Sequence, residues 1–222
     1  MNEPFATTDR IRTAVVTGQH PFDVPSFHEC FSALDPIAYY PQHMEDFCAT
    51  PPELRDLYDA VVFYHFHQAT PTGEGPWYEA GIKAALEHVG ETEQGIVILH
   101  HAILAFPEWD FWADLVGIQD RAFSYFIGET IDIEIAADHP ITAGLSSWTQ
   151  VEETYKMASC GDDSTALLTT DNEKSMRTLA WTRTVGKARV FCLELGHDAS
   201  AFNDSNFRTV LGRGIEWVSR RI

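Results

Sequence analysis

Short apolar, β-branched runs, each ending on a histidine or polar residue, constrain this fold more than any other feature. Residues 13–17 (TAVVT) lead into Gly18, Gln19 and His20. Residues 60–64 (AVVFY) lead into His65, Phe66 and His67, and residues 96–99 (IVIL) into His100 and His101. Residues 189–195 (RVFCLEL) lead into Gly196, His197 and Asp198. Continuous apolar runs without alternation suit strands covered on both faces, the arrangement of parallel sheets.

Helical patterns separate these runs. Residues 26–34 follow Pro25, with Ser26 placed as N-cap. Residues 52–59 form a short helix candidate, and residues 76–89 (PWYEAGIKAALEHV) carry Pro76 in the first turn. Residues 206–219 (NFRTVLGRGIEWVS) close the chain as a helix that runs across Gly212 and Gly214. Strands alternating with helices predict an α/β fold with a doubly wound, mostly parallel sheet of the flavodoxin-like kind. The stretch 110–171 departs from that rhythm. Residues 122–135 alternate in part, with Ile131, Ile133 and Ile135 against Asp132 and Glu134, and read as a strand pair or antiparallel edge. Residues 166–168 and 178–181 flank a polar turn and read as a hairpin. No repeat or linker divides the 222 residues, so one domain over 1–222 is expected.

Charge narrows the partners. Asp and Glu number 33 against 15 Lys and Arg, a formal charge of −18, and no basic stripe exists. Such a chain repels phosphates, so neither nucleic acid nor an anionic membrane is an expected partner. The first residues lack a basic segment followed by an apolar run, and no stretch approaches the roughly 20 apolar residues of a membrane span. The four cysteines are scattered without a CxxC, which fits reduced thiols and a cytoplasmic location.

In open α/β sheets ligands bind beyond the carboxyl ends of the strands. Six of ten histidines fall there: His20, His65, His67, His100, His101 and His197. The other four, His28, His43, His88 and His139, lie in helix-like or loop contexts. Alternation along a strand sends His100 and His101 to opposite faces, and His65 and His67 share a face only if the strand runs through both. Three or four of the six are expected in one site. Two chemistries suit such a cluster. Neutral imidazoles bind zinc or a similar divalent metal, with His20, His101 and His197 as candidate ligands. Histidine also carries protons near neutral pH. Glu152 and Glu153 in VEETYKM, and Asp198, are the nearest candidate carboxylates; no HExxH is present. Flat rings at Trp77, Tyr78, Trp109, Phe111, Trp112 and Tyr155 would cover sugar CH faces around the site, whereas Trp181 and Trp217 read as core.

The motifs HPITAGL (139–145), VEETYKM (151–157), LAW (179–181) and GKARVFCLELGHDASAFNDSNFRTVLGRGIEW (186–217), with QGIVILHHA (94–102) upstream, resemble the ThuA-like, trehalose-utilisation family. The resemblance spans most of the chain and is most specific in the last 85 or so residues. It implies a class I glutamine amidotransferase-like fold. In true amidotransferases a cysteine nucleophile occupies the elbow after a central strand. Here that elbow holds His100, His101 and Ala102, with no cysteine near it. Acyl transfer on a thiolate needs the thiol, so glutaminase activity is not expected. The resemblance implies instead a role in carbohydrate metabolism, on an oxidised (keto) disaccharide or glycoside. Catalytic candidates are His101, His197 and Glu153; substrate-binding candidates are His20, His67, His100, Tyr155, Asp198 and Trp109. Two functions stay open: a hydrolase, lyase or isomerase acting on keto-sugars, or a non-catalytic sugar-binding or regulatory protein. The expected partner is a small-molecule carbohydrate, and homo-oligomer formation is left open.

Overall fold

A computed structural model describes residues 9–222. The first half contains β1 (Ile11–Gly18), α1 (Val24–Ser32), β2 (Ile37–His43), α2 (Met44–Ala49), α3 (Pro52–Arg55) and β3 (Ala60–His65). It continues with α4 (Trp77–Ala80), α5 (Ile82–Glu87), β4 (Gly95–Leu99), a 3₁₀ turn (His100–Leu104) and α6 (Asp110–Val116). Then follow β5 (Ser124–Ile135), β6 (Trp148–Lys156), β7 (Thr165–Thr169), β8 (Thr178–Val185) and β9 (Ala188–Leu193). The chain closes with α7 (Ala199–Phe202) and α8 (Ser205–Val218). One sheet carries the strands in the order β2-β1-β3-β4-β9-β8-β7-β5-β6. The block β2-β1-β3-β4-β9 is parallel, and everything beyond β9 is antiparallel. The expected α/β fold, a largely parallel sheet with an antiparallel elaboration at one edge, is what the chain adopts.

Period-two alternation explains why β3 and β4 are apolar throughout: each feeds two cores. Val62, Tyr64, Val97 and Leu99 pack with Phe27, Phe202, Phe207 and Val210 on one face. Val61, Phe63, Ile96 and Ile98 pack with Phe47, Leu86, Trp112 and Leu115 on the other.

Several local expectations are corrected. Helix α1 starts at Val24, not Ser26, because Pro25 is tolerated in a first turn and the Asp23 side chain caps Ser26 N at 3.2 Å. The single helix expected over 76–89 is two, α4 and α5, divided at Gly81, where a Cβ would lie 3.3 Å from the Cys48 carbonyl. Strand β2 had no apolar-run signature; it is a half-exposed edge strand bearing Pro41, which only an edge accommodates. In place of a strand pair over 122–135 there is one long strand, β5, from Ser124 to Ile135, whose partner β6 lies beyond a loop. Trp181 is fully buried as expected, but Trp217 is only half-buried and stacks beneath the Arg189 guanidinium at 4.8 Å. Among the described residues no helix is long and apolar enough to cross a membrane.

Candidate functional site

The site begins where β4 ends. His100 takes φ +51, a left-handed backbone that costs a non-glycine residue roughly 1 kcal/mol. Its ring is fully buried, and Nδ1–H donates to the Glu194 carbonyl at 2.5 Å. That bond sets the tautomer and leaves Nε2 as an acceptor. The left-handed turn also breaks the strand alternation. His100 therefore turns towards β6 and the segment after β9, while His101 turns towards the ends of β1 and β3. Both adjacent histidines reach the crevice, contrary to the expectation of opposite faces.

Three ligand-type atoms converge beside His100. Its Nε2 lies 3.2 Å from His197 Nδ1 and 3.6 Å from Glu153 Oε1, and the latter two are 3.4 Å apart. The Tyr155 hydroxyl donates to the same Nε2 at 2.7 Å. Burial, with Glu153 and Glu194 nearby, pushes the Tyr155 phenol well up, so it stays a protonated donor. Burial opposes ionisation of Glu153, but His100, His197 and Tyr155 outweigh it and hold this carboxyl below its usual range. Four-coordinate zinc at about 2.0–2.1 Å from each ligand needs donors roughly 3.3–3.4 Å apart. The three separations fit one face of such a tetrahedron. Among the described residues, His100, Glu153 and His197 form a group able to hold a divalent metal.

Two carboxylates beneath the site hold it in shape. Glu152 Oε1 accepts from the backbone N–H of Glu153 and His197, and Oε2 from Gly196 N and the Gln150 amide, all at 2.9–3.1 Å. Burial pushes the Glu152 carboxyl up to about 7 against these donors. Gly196 is required here: it sits at φ +119, and a Cβ would approach Phe207 and Leu99 at 3.1 and 3.2 Å. Glu194 accepts from Tyr155 N at 3.0 Å, and burial beside Glu152 keeps it protonated. Sequence reasoning missed Glu194, which sits inside an otherwise apolar strand run. A buried acid in such a run is the signal that could have found it.

Above the triad opens a cavity of about 350 Å³. His20, His101, Glu153, Tyr155 and His197 supply polar groups, and Phe66, Phe123, Tyr125, Leu104 and Ile127 supply apolar wall. His101 stacks on His20 at 4.2 Å, and burial drives its basicity far down, so it is a neutral imidazole. Neither of its ring nitrogens has a partner among the described residues. A neutral, unpartnered ring is a ready acceptor for a ligand hydroxyl.

Other expected residues lie elsewhere. His20 and His101 are stacked face to face, so the expected metal set of His20, His101 and His197 does not form; His100 and Glu153 complete the set with His197 instead. His67 faces a different cavity, because Phe66 and His67 alternate to opposite sides. Burial lowers the basicity of His67 as well. Asp198 caps α7, accepting from Ser200 N at 2.7 Å, and does not line the cavity. Trp109 packs into the core against Phe106 and Phe111, and Trp112 is fully buried, so neither is a sugar platform. Trp77 and Tyr78 are exposed away from the cavity. The rings that do ring it include Phe123 and Tyr125, at alternate positions entering β5.

No cysteine lines this cavity. Burial raises all four thiols, to about 11 at Cys30, about 12 at Cys48, further at Cys192, and also at Cys160. Alkylation of the folded protein with iodoacetamide is therefore expected to proceed slowly and to leave ligand binding unchanged, with mass spectrometry reporting the modified position. Loss of binding that follows modification of one cysteine without unfolding would contradict this.

Comparison with known proteins bears on the family and the fold. A family model described as ThuA, trehalose utilisation, matches residues 43–218. Sequence comparison with curated proteins gives no match. Among solved structures, a ThuA-like protein from Parabacteroides merdae superposes with a TM-score of 0.74 at 20% identity, over 95% of this chain and 90% of that one. A ThuA-like protein from Bacteroides uniformis gives 0.72 at 16% identity, over 98% and 95%. A glutamine amidotransferase from Thermotoga maritima gives 0.54 at 10% identity, over 96% and 99%. These likenesses carry the fold. With the family model covering most of the sequence, the chain belongs to the ThuA family, described as trehalose utilisation.

Proposed function

We propose that this protein acts on an oxidised (keto) sugar or glycoside in the elbow cavity, assisted by a divalent metal on His100, Glu153 and His197. The observation that carries the reading is the 3.2–3.6 Å spacing of three ligand atoms at the floor of an open cavity. The His100 Nδ1–H bond to a carbonyl is the outer contact that metal-binding histidines make. Family membership supports a carbohydrate-related role. A metal there would polarise a carbonyl oxygen and so acidify the neighbouring C–H. Neutral His101 and His20 supply acceptors for hydroxyls or for that proton, and Tyr155 supplies a donor once released from His100. Phe66, Phe123 and Tyr125 offer apolar faces to the sugar ring. Four unpaired cysteines support a reducing, cytoplasmic setting.

The test is turnover of keto-glycosides by the purified protein before and after chelation. Activity that disappears on chelation and returns with zinc supports the reading. Full activity after complete metal removal overturns the metal, and binding of sugars without turnover replaces the enzyme by a sugar-binding protein.

A further inference from the structure

The elbow cavity is built in two unlike parts. Its floor is polar, made by His20, His101, Glu153, Tyr155 and His197. Its wall is apolar, made by Phe66 after β3, Leu104 on the 3₁₀ turn, and Phe123, Tyr125 and Ile127 at the start of β5. The two parts touch. Phe66 meets the His20 and His101 rings edge-on, with centroids 5.7 and 6.0 Å apart, and Phe123 meets Tyr155 at 5.8 Å.

Alternation and one buried arginine set the β5 side of this wall. Residues 123, 125 and 127 fall on the cavity face, whereas Phe126 turns to the other face, where Lys174 Nζ lies 5.5 Å from its ring centroid. The ladder with β6 places Tyr125 opposite Tyr155 and becomes irregular only beyond Phe126. Arg121, just upstream, is buried and donates to the Ala105, Phe106 and Pro107 carbonyls at 2.5, 2.7 and 3.2 Å. These bonds staple the segment entering β5 to the loop that leaves the elbow turn. The wall is therefore preformed against the floor.

Exposure rises along the strip, from 39% at Phe123 to 59% at Tyr125 and 67% at Ile127. Residues 123–128 (FSYFIG) carry no charge in a chain of net charge −18. Apolar side chains this open to water gain from an apolar cover. A second sugar ring is a poor one. Among the described residues, the Tyr125 hydroxyl is the one polar side-chain group on that wall, and a buried hydroxyl without a partner costs affinity. Ile127 and Leu104 also lack the flat face on which sugar CH groups stack. A planar apolar group meets neither penalty. We propose that the cavity selects keto-glycosides with an aryl aglycone, the sugar on the floor and the aryl ring against Leu104, Tyr125 and Ile127. This deepens the reading above and rests on it for the placement of the sugar.

Calorimetry on the full-length protein, as purified and again after chelation, compares methyl, phenyl and glucosyl keto-glucosides; turnover is assayed separately. The phenyl compound is expected to bind at least about tenfold more tightly than the methyl one, and the glucosyl compound no more tightly than the methyl. In the double variant Tyr125→Ser, Ile127→Ser, at two exposed positions, the phenyl and methyl compounds should bind alike. A phenyl compound bound no more tightly than the methyl, or a glucosyl compound bound as tightly as the phenyl, overturns the proposal. So does a phenyl preference that survives in the double variant. A wild-type dimer that the double variant turns into a monomer in sedimentation also overturns it, because a second copy then covers the strip. Phenyl preference without turnover upholds the aryl wall and overturns the catalytic reading, whereas turnover with no phenyl preference does the reverse. No binding by any of the three overturns both.

Discussion

Glu153→Gln and His197→Ala are each expected to reduce turnover of a keto-glycoside by at least about 10²-fold. Each removes one corner of a three-atom cluster whose members lie 3.2–3.6 Å apart, and two ligands hold zinc far more weakly than three. Glu153→Gln keeps the side chain's size but removes the charge that offsets burial beside His100. His197 is only partly buried, so its removal takes little from the core and folding should survive. Calorimetric zinc titration should show binding lost in both variants. His139→Ala is the control. That ring packs on Trp217 and its Nδ1 accepts from Ile141 N at 3.2 Å, well outside the cavity, so activity should stay within about twofold of wild type. Equal, mild effects from His197→Ala and His139→Ala would mean that the strand-end cluster is structural.

Glu152→Ala is expected to cost about 3–5 kcal/mol in stability, read as a lowered urea midpoint. The substitution strands three buried backbone N–H groups and the Gln150 amide, and releases the turn that presents His197. Glu152→Gln should cost less, because one side-chain oxygen survives while the new NH₂ faces an N–H. The pH dependence has a definite sign. The folded carboxyl sits near 7, above its value of 4.5 when unfolded. Its protonated form therefore stabilises the fold fully below about 4.5, and that contribution is lost as pH rises through about 7. In Glu152→Gln this decline with rising pH should disappear. A variant as stable as wild type, or one with the same pH profile, would show that Glu152 does not clamp the His197 turn.

The parallel core was legible because β3 and β4 are buried on both faces, and burial on both faces leaves no choice but apolar residues. The histidines at the strand ends were legible for a related reason: where the strand leaves the core, polar side chains become affordable, and the crevice is there. Edge elements were not. Strand β2 packs one face and carries Pro41, so neither periodicity nor composition marks it, and its terminal histidine, His43, went unassigned to the crevice.

Which strand-end residues meet was decided only by tertiary structure. The sequence alone determined a central parallel sheet, an elbow without a thiol and a histidine-rich carboxyl edge. It could not determine that a left-handed residue at His100 sends neighbouring histidines in different directions, because one backbone torsion overrides the alternation on which such reasoning rests. Nor could it determine that Phe66 and His67 divide two cavities. Glu152, Glu153 and Tyr155 arrive on β6, whose pairing with β5 sets its place at the far sheet edge and whose buried side chains fold back over β9. That contact joins residues about forty positions apart through buried hydrogen bonds between side chain and backbone. Local propensity does not encode such bonds; they exist only once both segments have left water together.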